Sequence, residues 1–187
     1  MNHTGTIPLE TQRLILRRFR PEDTQAAYAN FMSDPEVPRF MRWEAHTDIT
    51  QTEEYLAQVA VGYEKTDYYR WAITLKPDDG PIGVIAMMIG NERDATAEVA
   101  YALGRQYWNM GIVSEALARV LAHAFGEVGV NRLEAYHSVR NPASGKVMQK
   151  AGMRCEGHAR QKYKGHDGYE DCDLYAILAE DWNKDAR

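Results

Sequence analysis

Seven runs of the chain carry the apolar spacing of strands, and between them lie segments with helical spacing. Arg13-Leu14-Ile15-Leu16-Arg17 reads as a first strand. Pro21-Glu22-Asp23 then starts a helix that runs to about Met32, and Asp34-Pro35 ends it, because the residue before a proline avoids the helical region. Pro38 to Thr47 is a loop. Thr52 to Tyr63 is a second helix, with Tyr55, Leu56, Val59, Ala60 and Tyr63 on one side. Tyr69 to Leu75, Ile82 to Ile89 and Ala97 to Leu103 follow as strands. A Pro77-Asp78-Asp79-Gly80 turn and a polar Gly90-Asn91-Glu92-Arg93-Asp94 connection join them into an antiparallel meander.

The pattern changes at Gly111. From there Ile112, Val113, Ala116, Leu117, Val120, Leu121, Ala124 and Phe125 share one broad helix face, which must pack on a sheet. Gly129 ends that helix and Arg132 to His137 is a strand, so a parallel crossover around the helix is expected. Asn141 is a natural N-cap with Pro142 at the first helical position, opening a short helix to about Ala151 that Gly152 closes. Strands near Arg154 to Arg160 and Tyr169 to Leu178 complete the chain. No repeat or linker interrupts it, so residues 1–187 are expected to form a single α+β domain.

Composition narrows the class of protein. The 187 residues are 44% hydrophobic and 26% charged, a balance that suits a folded core. The net charge of −5 gives no field that would draw in nucleic acid, and the basic cluster Arg13, Arg17, Arg18 and Arg20 reads as a solvated strand face. Cys155 and Cys172 lack metal-type or paired spacing, and the six histidines form no helical ligand pair, so no metal is expected. The apolar run Val84 to Ile89 is too short to cross a bilayer. A soluble, cytoplasmic protein without membrane partners is the expectation.

Chemistry enters at the loop Arg105-Gln106-Tyr107-Trp108-Asn109-Met110, which feeds the helix opened by Gly111. The first N–H groups of a helix have no partner within it, and with the helix dipole behind them they suit phosphate oxygens. A dinucleotide loop is excluded, since no second and third glycine follow at the required spacing. Further pieces appear in a fixed order: Leu9-Glu10-Thr11-Gln12-Arg13, Asp34-Pro35-Glu36-Val37, Trp108-Asn109-Met110-Gly111-Ile112-Val113, Asn131-Arg132-Leu133-Glu134-Ala135, Asn141-Pro142-Ala143-Ser144 and Lys150-Ala151-Gly152-Met153. Together they resemble the GNAT superfamily of acetyl-coenzyme A-dependent N-acetyltransferases over almost the whole chain. More narrowly, they resemble its RimJ/RimL-like branch, which includes acetyltransferases of ribosomal-protein N-termini.

The resemblance implies a mixed, mostly antiparallel sheet flanked by helices and splayed at the strand containing Glu98. It implies acetyl-CoA as cosubstrate, with no metal. Trp108, Asn109, Met110, Gly111, Ile112 and Val113 align with the pyrophosphate loop, whose first turn continues through Ser114. Val113 departs from the usual glycine or alanine, and Met110 lacks the lysine common there. Tyr101 and Leu103 lie where strand backbone pairs with the pantetheine arm, and Asn141 where a side chain bonds it. Lys146 is either a phosphate contact or an exposed helical lysine.

Two catalytic roles follow from the same resemblance. Acetyl transfer needs a deprotonated amine, and an N-terminal amine has an ordinary pKa of about 7.7–8.0 against about 10.4 for lysine. Glu98 aligns with the base; without the resemblance it reads as an exposed strand residue. The hydroxyl that serves the departing thiolate is often a tyrosine seven residues after the asparagine. Here that position is Met148, which leaves Ser144 as donor or as a small packing residue. Phe40, Met41, Trp43, Glu44 and His46 fall in the loop that flanks the acceptor, as cleft wall or as core. The acceptor is a primary amine, first a protein N-terminal α-amine and next a small-molecule amine such as an antibiotic or an amino acid. A non-catalytic acyl-CoA sensor is the rival class. Monomer and homodimer both remain open.

Overall fold

The computed structural model describes residues 1–185. One eight-stranded sheet runs through the molecule in the order β1-β2-β3-β4-β5-β6-β8-β7. Its strands are β1 (Leu9–Glu10), β2 (Leu14–Arg17), β3 (Tyr69–Leu75), β4 (Pro81–Asn91), β5 (Thr96–Leu103), β6 (Arg132–Ser138), β7 (Arg154–Gly165) and β8 (Gly168–Leu178). Neighbours are antiparallel except β5 and β6, which run parallel through the crossover predicted around the Gly111 helix. That pairing lasts for three residues only, Thr96↔Arg132, Ala97↔Leu133 and Glu98↔Glu134. Beyond Glu98 the two strands part, which is the expected splay.

The helices are α1 (Thr24–Ala27), α2 (Ile49–Gly62), α3 (Ile112–His123), α4 (Pro142–Lys150) and α5 (Ala179–Asp185). Alternate residues of each strand face opposite sides of the sheet. Tyr69, Trp71, Ile73, Ile85, Met87 and Val99 pack with Ile112, Leu117 and Leu121 of α3 and Met148 of α4. Ala72 and Val84 point the other way, onto Phe31 and Leu56 beside α1 and α2. Two cores therefore cover the two faces of one sheet.

Several local expectations meet their physical limits here. The helix predicted from Pro21 to Met32 is a 3₁₀ turn (Pro21–Asp23), α1 and a π segment (Tyr28–Met32), where Ser33 N–H reaches back five residues to the Tyr28 carbonyl. α2 starts three residues before Thr52, because the Asp48 carboxylate accepts from Thr50 N–H at 2.8 Å and Gln51 Oε1 accepts from Asp48 N–H at 3.3 Å. β7 continues past Arg160 to Gly165 as half of a long polar hairpin. β1 and α5 were not foreseen. Cys172 is buried as expected, whereas Cys155 is exposed.

The basic cluster is solvated at Arg13, Arg18 and Arg20, as expected, and is corrected at Arg17. Arg17 is buried rather than solvated, and it donates to both Asp23 carboxylate oxygens at 2.7 and 2.8 Å and to Asp79 Oδ1 at 2.8 Å. Arg18 donates to the Thr6 carbonyl and lies over the Tyr63 ring, and Arg20 pairs with Asp79. These cations hold the first strand to the loops around it.

Candidate active site

One cavity of about 940 Å³ runs through the gap between β5 and β6 and opens on both sides of the sheet. The start of α3 forms one end of it. Gly111 is the N-cap with φ +74°, and it offers no side chain to the first-turn N–H groups of Ile112, Val113 and Ser114. The glycine is needed for its backbone and not for space, since a Cβ there would meet nothing nearer than Arg13 Nη2 at 3.7 Å. Asn109 is also left-handed, with φ +62°. Val113 packs against the main core and also lines the cavity.

The loop before α3 is braced from two sides. Trp108 Nε1 donates to the Leu103 carbonyl at 2.7 Å, tying the loop to the end of β5. Arg13 Nη1 donates to the Met110 carbonyl at 3.0 Å, and Arg13 Nε bonds Glu115 at 2.6 Å in the first turn of α3. Burial opposes the Glu115 charge, but bonds from Thr11 and Arg13 outweigh it and hold this carboxyl below its ordinary range. Trp108, Asn109, Gly111, Ile112, Val113 and Ser114 line the cavity; Met110 does not, and its side chain is half exposed.

Across the gap, Asn141 caps α4, with Oδ1 accepting from Ser144 N–H at 3.4 Å. Tyr101, on the α4 side of β5, places its hydroxyl 2.9 Å from Ser144 Oγ and 3.1 Å from the Ser144 carbonyl. Burial pushes the Tyr101 phenol up to about 12, against the opposing pull of the Ser144 bond. Met148 is buried core, so the phenol beside Ser144 comes from β5 rather than from α4. Leu103, Asn141 and Lys146 also line the cavity. His137 donates from Nδ1 to the Ser138 carbonyl at 2.8 Å, and its buried Nε2 has no partner among the described residues. A Cβ at Gly145 would sit 2.5 Å from that nitrogen, so Gly145 leaves room for the ring.

Glu98 occupies the opposite side of β5 from Tyr101, where the splay begins. Half burial raises its carboxyl above the ordinary range, helped by Glu134 and opposed by Lys162 and Arg42. It makes no hydrogen bond or ion pair among the described residues, so both oxygens are open to the cavity. Val84, Ala86, Ala100 and Ala102 form the floor beside it, and Phe40, Met41, Trp43 and His46 form the wall. Those four loop residues are cleft wall, while Glu44 points away into solvent. The wall is tied over the cleft: Tyr163 Oη donates to the Phe40 carbonyl at 2.8 Å, and His166 Nε2 lies 3.2 and 3.1 Å from the carbonyls of Pro38 and Trp43.

Reasoning from sequence missed Arg42, Arg70, Tyr136, His137 and Tyr163 in this cavity. The signal for Arg70 was present, as a single charge on a strand otherwise made of apolar residues and one threonine.

The chain belongs to the GNAT acetyltransferases: the Acetyltransferase (GNAT) domain model matches residues 13–154. It is 30% identical over 170 residues to the uncharacterized N-acetyltransferase YoaA of Bacillus subtilis (strain 168), covering 91% of this chain and 96% of that protein. The ribosomal-protein-serine acetyltransferase of Escherichia coli (strain K12) is 30% identical over 141 residues, 75% of each chain. The structure of a GNAT-family acetyltransferase from Bacillus anthracis superposes with a TM-score of 0.81 at 25% identity, covering 93% of this chain and 99% of that one. The protein is an acetyl-CoA-dependent N-acetyltransferase. Its sheet, splay and helices are those of the GNAT fold.

Proposed function

We propose that the cavity binds acetyl-CoA through the gap between β5 and β6 and transfers its acetyl group directly to a small primary amine held against Glu98. The open donors at the start of α3 suit the pyrophosphate, and the unpaired edges of β5 and β6 suit the amides of the pantetheine arm. Bound acetyl-CoA supplies an activated thioester. Glu98 takes the proton from the ammonium, directly or through one water, with its raised pKa matched to that task. On the other side of β5, Tyr101 fixes the Ser144 hydroxyl, which donates toward the departing sulfur. Orientation of the two reactants supplies much of the acceleration, because the thioester is already activated.

The observation that carries this reading is the free, half-buried Glu98 carboxylate facing the same cavity as the Gly111 donors. The tied loop over the acceptor end supports a small amine. A protein N-terminal α-amine is the second reading, supported by the likeness to the ribosomal-protein-serine acetyltransferase.

Thiol release from acetyl-CoA tests these readings against a panel of small amines and N-terminal peptides. With Glu98→Gln, kcat is expected to fall at least 100-fold at neutral pH, within the ordinary range for a lost base. The wild-type rate rises with pH as Glu98 loses its proton, with a midpoint above the ordinary glutamate value, and the variant lacks that limb. A fully active Glu98→Gln enzyme removes the base assignment. Binding of coenzyme A with no acceptor raising thiol release supports a sensor instead.

A further inference from the structure

The acceptor half of the cavity holds a charge that amine chemistry does not call for. Arg70 lies on β3, in register with Ala86 of β4, and Ala86 is in register with Ala100 of β5. Two pairs further along, Met88 faces Glu98. Arg70, Ala86, Ala100 and Glu98 therefore stand on one face of the sheet, and two alanines leave a trough between the charged ends. Strand spacing places the Arg70 and Glu98 Cα atoms roughly 12 Å apart.

Arg70 is partly buried and has no carboxylate within ion-pair distance among the described residues. Its Nη1 donates to Tyr55 Oη at 2.7 Å, and the rings of Tyr55 and Tyr68 lie 5.7 and 5.9 Å from its guanidinium carbon. Its Nε–H is buried without an acceptor among the described residues. A desolvated guanidinium without a counter-ion is costly to keep, since its donors and its charge are satisfied best by a bidentate anion. Arg42, over the Tyr163 ring at 4.9 Å and donating to Tyr136 Oη at 3.5 Å, is a second cation of this cavity but belongs to the Glu98 end, where its charge opposes the rise of the Glu98 pKa. Nearby arginines are paired: Arg39 with Glu36, and Arg140 with Glu170 and Asp167. The excess of positive charge is local, in a chain whose net charge is −5.

We propose that Arg70 receives an anionic group of the acceptor, a carboxylate or a phosphate, while the acceptor's amine lies toward Glu98. This rests on the amine-acetylation reading of the cavity and adds the acceptor's second functional group. The trough between the two ends favours an acceptor whose amine and anion lie at opposite ends of a short chain.

Matched amines test it. 5-Aminopentanoate is compared with 5-aminopentanamide, and 3-aminopropyl phosphate with 3-aminopropanol, by thiol release from acetyl-CoA; the two pairs separate carboxylate from phosphate. At least one anionic member is expected to exceed its neutral partner tenfold or more in kcat/KM. Arg70→Gln is expected to bring that ratio near one by raising the KM of the anionic acceptor, with the KM of acetyl-CoA unchanged. Arg70→Lys is expected to restore part of the ratio, and melting curves confirm that both variants fold. Ratios near one for both pairs, no turnover of either anionic amine, or an Arg70→Gln loss shared equally with the neutral partner overturns the proposal. Titration with coenzyme A separates the layers: binding with neutral amines acetylated leaves the acetyltransferase reading standing, and no binding removes both.

Discussion

At the scale of single residues, the two sides of β5 divide the chemistry. In the proposed mechanism Glu98 serves the nucleophile, and Tyr101, three positions on and on the other face, holds Ser144 for the leaving group. A phenol raised to about 12 stays protonated at neutral pH, so its hydrogen is always available to one of the Ser144 oxygens. When Tyr101 donates to Ser144 Oγ, the serine hydrogen is free to point into the cavity. Tyr101→Phe removes one hydrogen bond of about 1 kcal/mol, so kcat is expected to fall about fivefold with the KM of acetyl-CoA little changed. Steady-state kinetics of Tyr101→Phe, Ser144→Ala and the double variant check this. A double variant no slower than Ser144→Ala alone shows that the two act as a unit.

At the scale of elements, the proposed site puts the grip on the cosubstrate at the start of α3. Its left-handed cap costs a side-chain residue about 1 kcal/mol, and the space around Gly111 is otherwise open. Gly111→Ala is therefore expected to fold with a slightly lower melting temperature and to raise the KM of acetyl-CoA about fivefold through a displaced loop. The KM of the amine is expected to stay unchanged, and initial-rate kinetics with each substrate varied separate the two effects.

Features of this local kind were legible in the chain. Gly111, Gly129, Gly152 and the Asn141-Pro142 cap all mark element ends where expected, because caps and turns are decided by residues a few positions apart. The features that escaped depend on partners distant in sequence. Arg17 meets Asp79 across 62 positions, and Arg70 gains its meaning only when β3, β4 and β5 come into register. Tyr101 was read for its backbone, and nothing near it in sequence pointed its hydroxyl at Ser144, 43 positions away. β7 escaped past Arg160 because its polar run leaves the main core and is held instead through Tyr163 and His166, whose partners in the 38–43 loop lie more than a hundred positions away.

At the scale of the whole molecule, the ion pairs around Arg17 join β2 to the Asp23 turn and to the β3–β4 connection at Asp79. Arg17 and Asp23 are both nearly inaccessible, with side chains 6% and 7% exposed. Removing the arginine strands a buried carboxylate, so Arg17→Met is expected to lose about 3–5 kcal/mol of stability, measured by urea unfolding. The Arg17 bond holds the Asp79 carboxyl below its ordinary range, with Arg20 adding to it. Its folded pKa is lowered, so its contribution is full above the ordinary aspartate value of about 3.9 and fades as pH falls toward the folded value. That acid-side loss is expected to be smaller in Arg17→Met.

The parting of β5 from β6 has a consequence for the molecule as a material. Native sheets close, cover or blunt their edges, because bare main-chain groups seek any strand that offers itself. Here two such edges face each other in the middle of the sheet, past Glu98 and Glu134. The protein is folded around an absent strand, and whatever lies in that gap becomes part of its architecture. A ligand at 100 times its dissociation constant adds about 2.7 kcal/mol to the stability of the state that binds it. With acetyl-CoA in the proposed site, the cosubstrate is expected to raise the melting temperature of the enzyme as well as to feed its turnover.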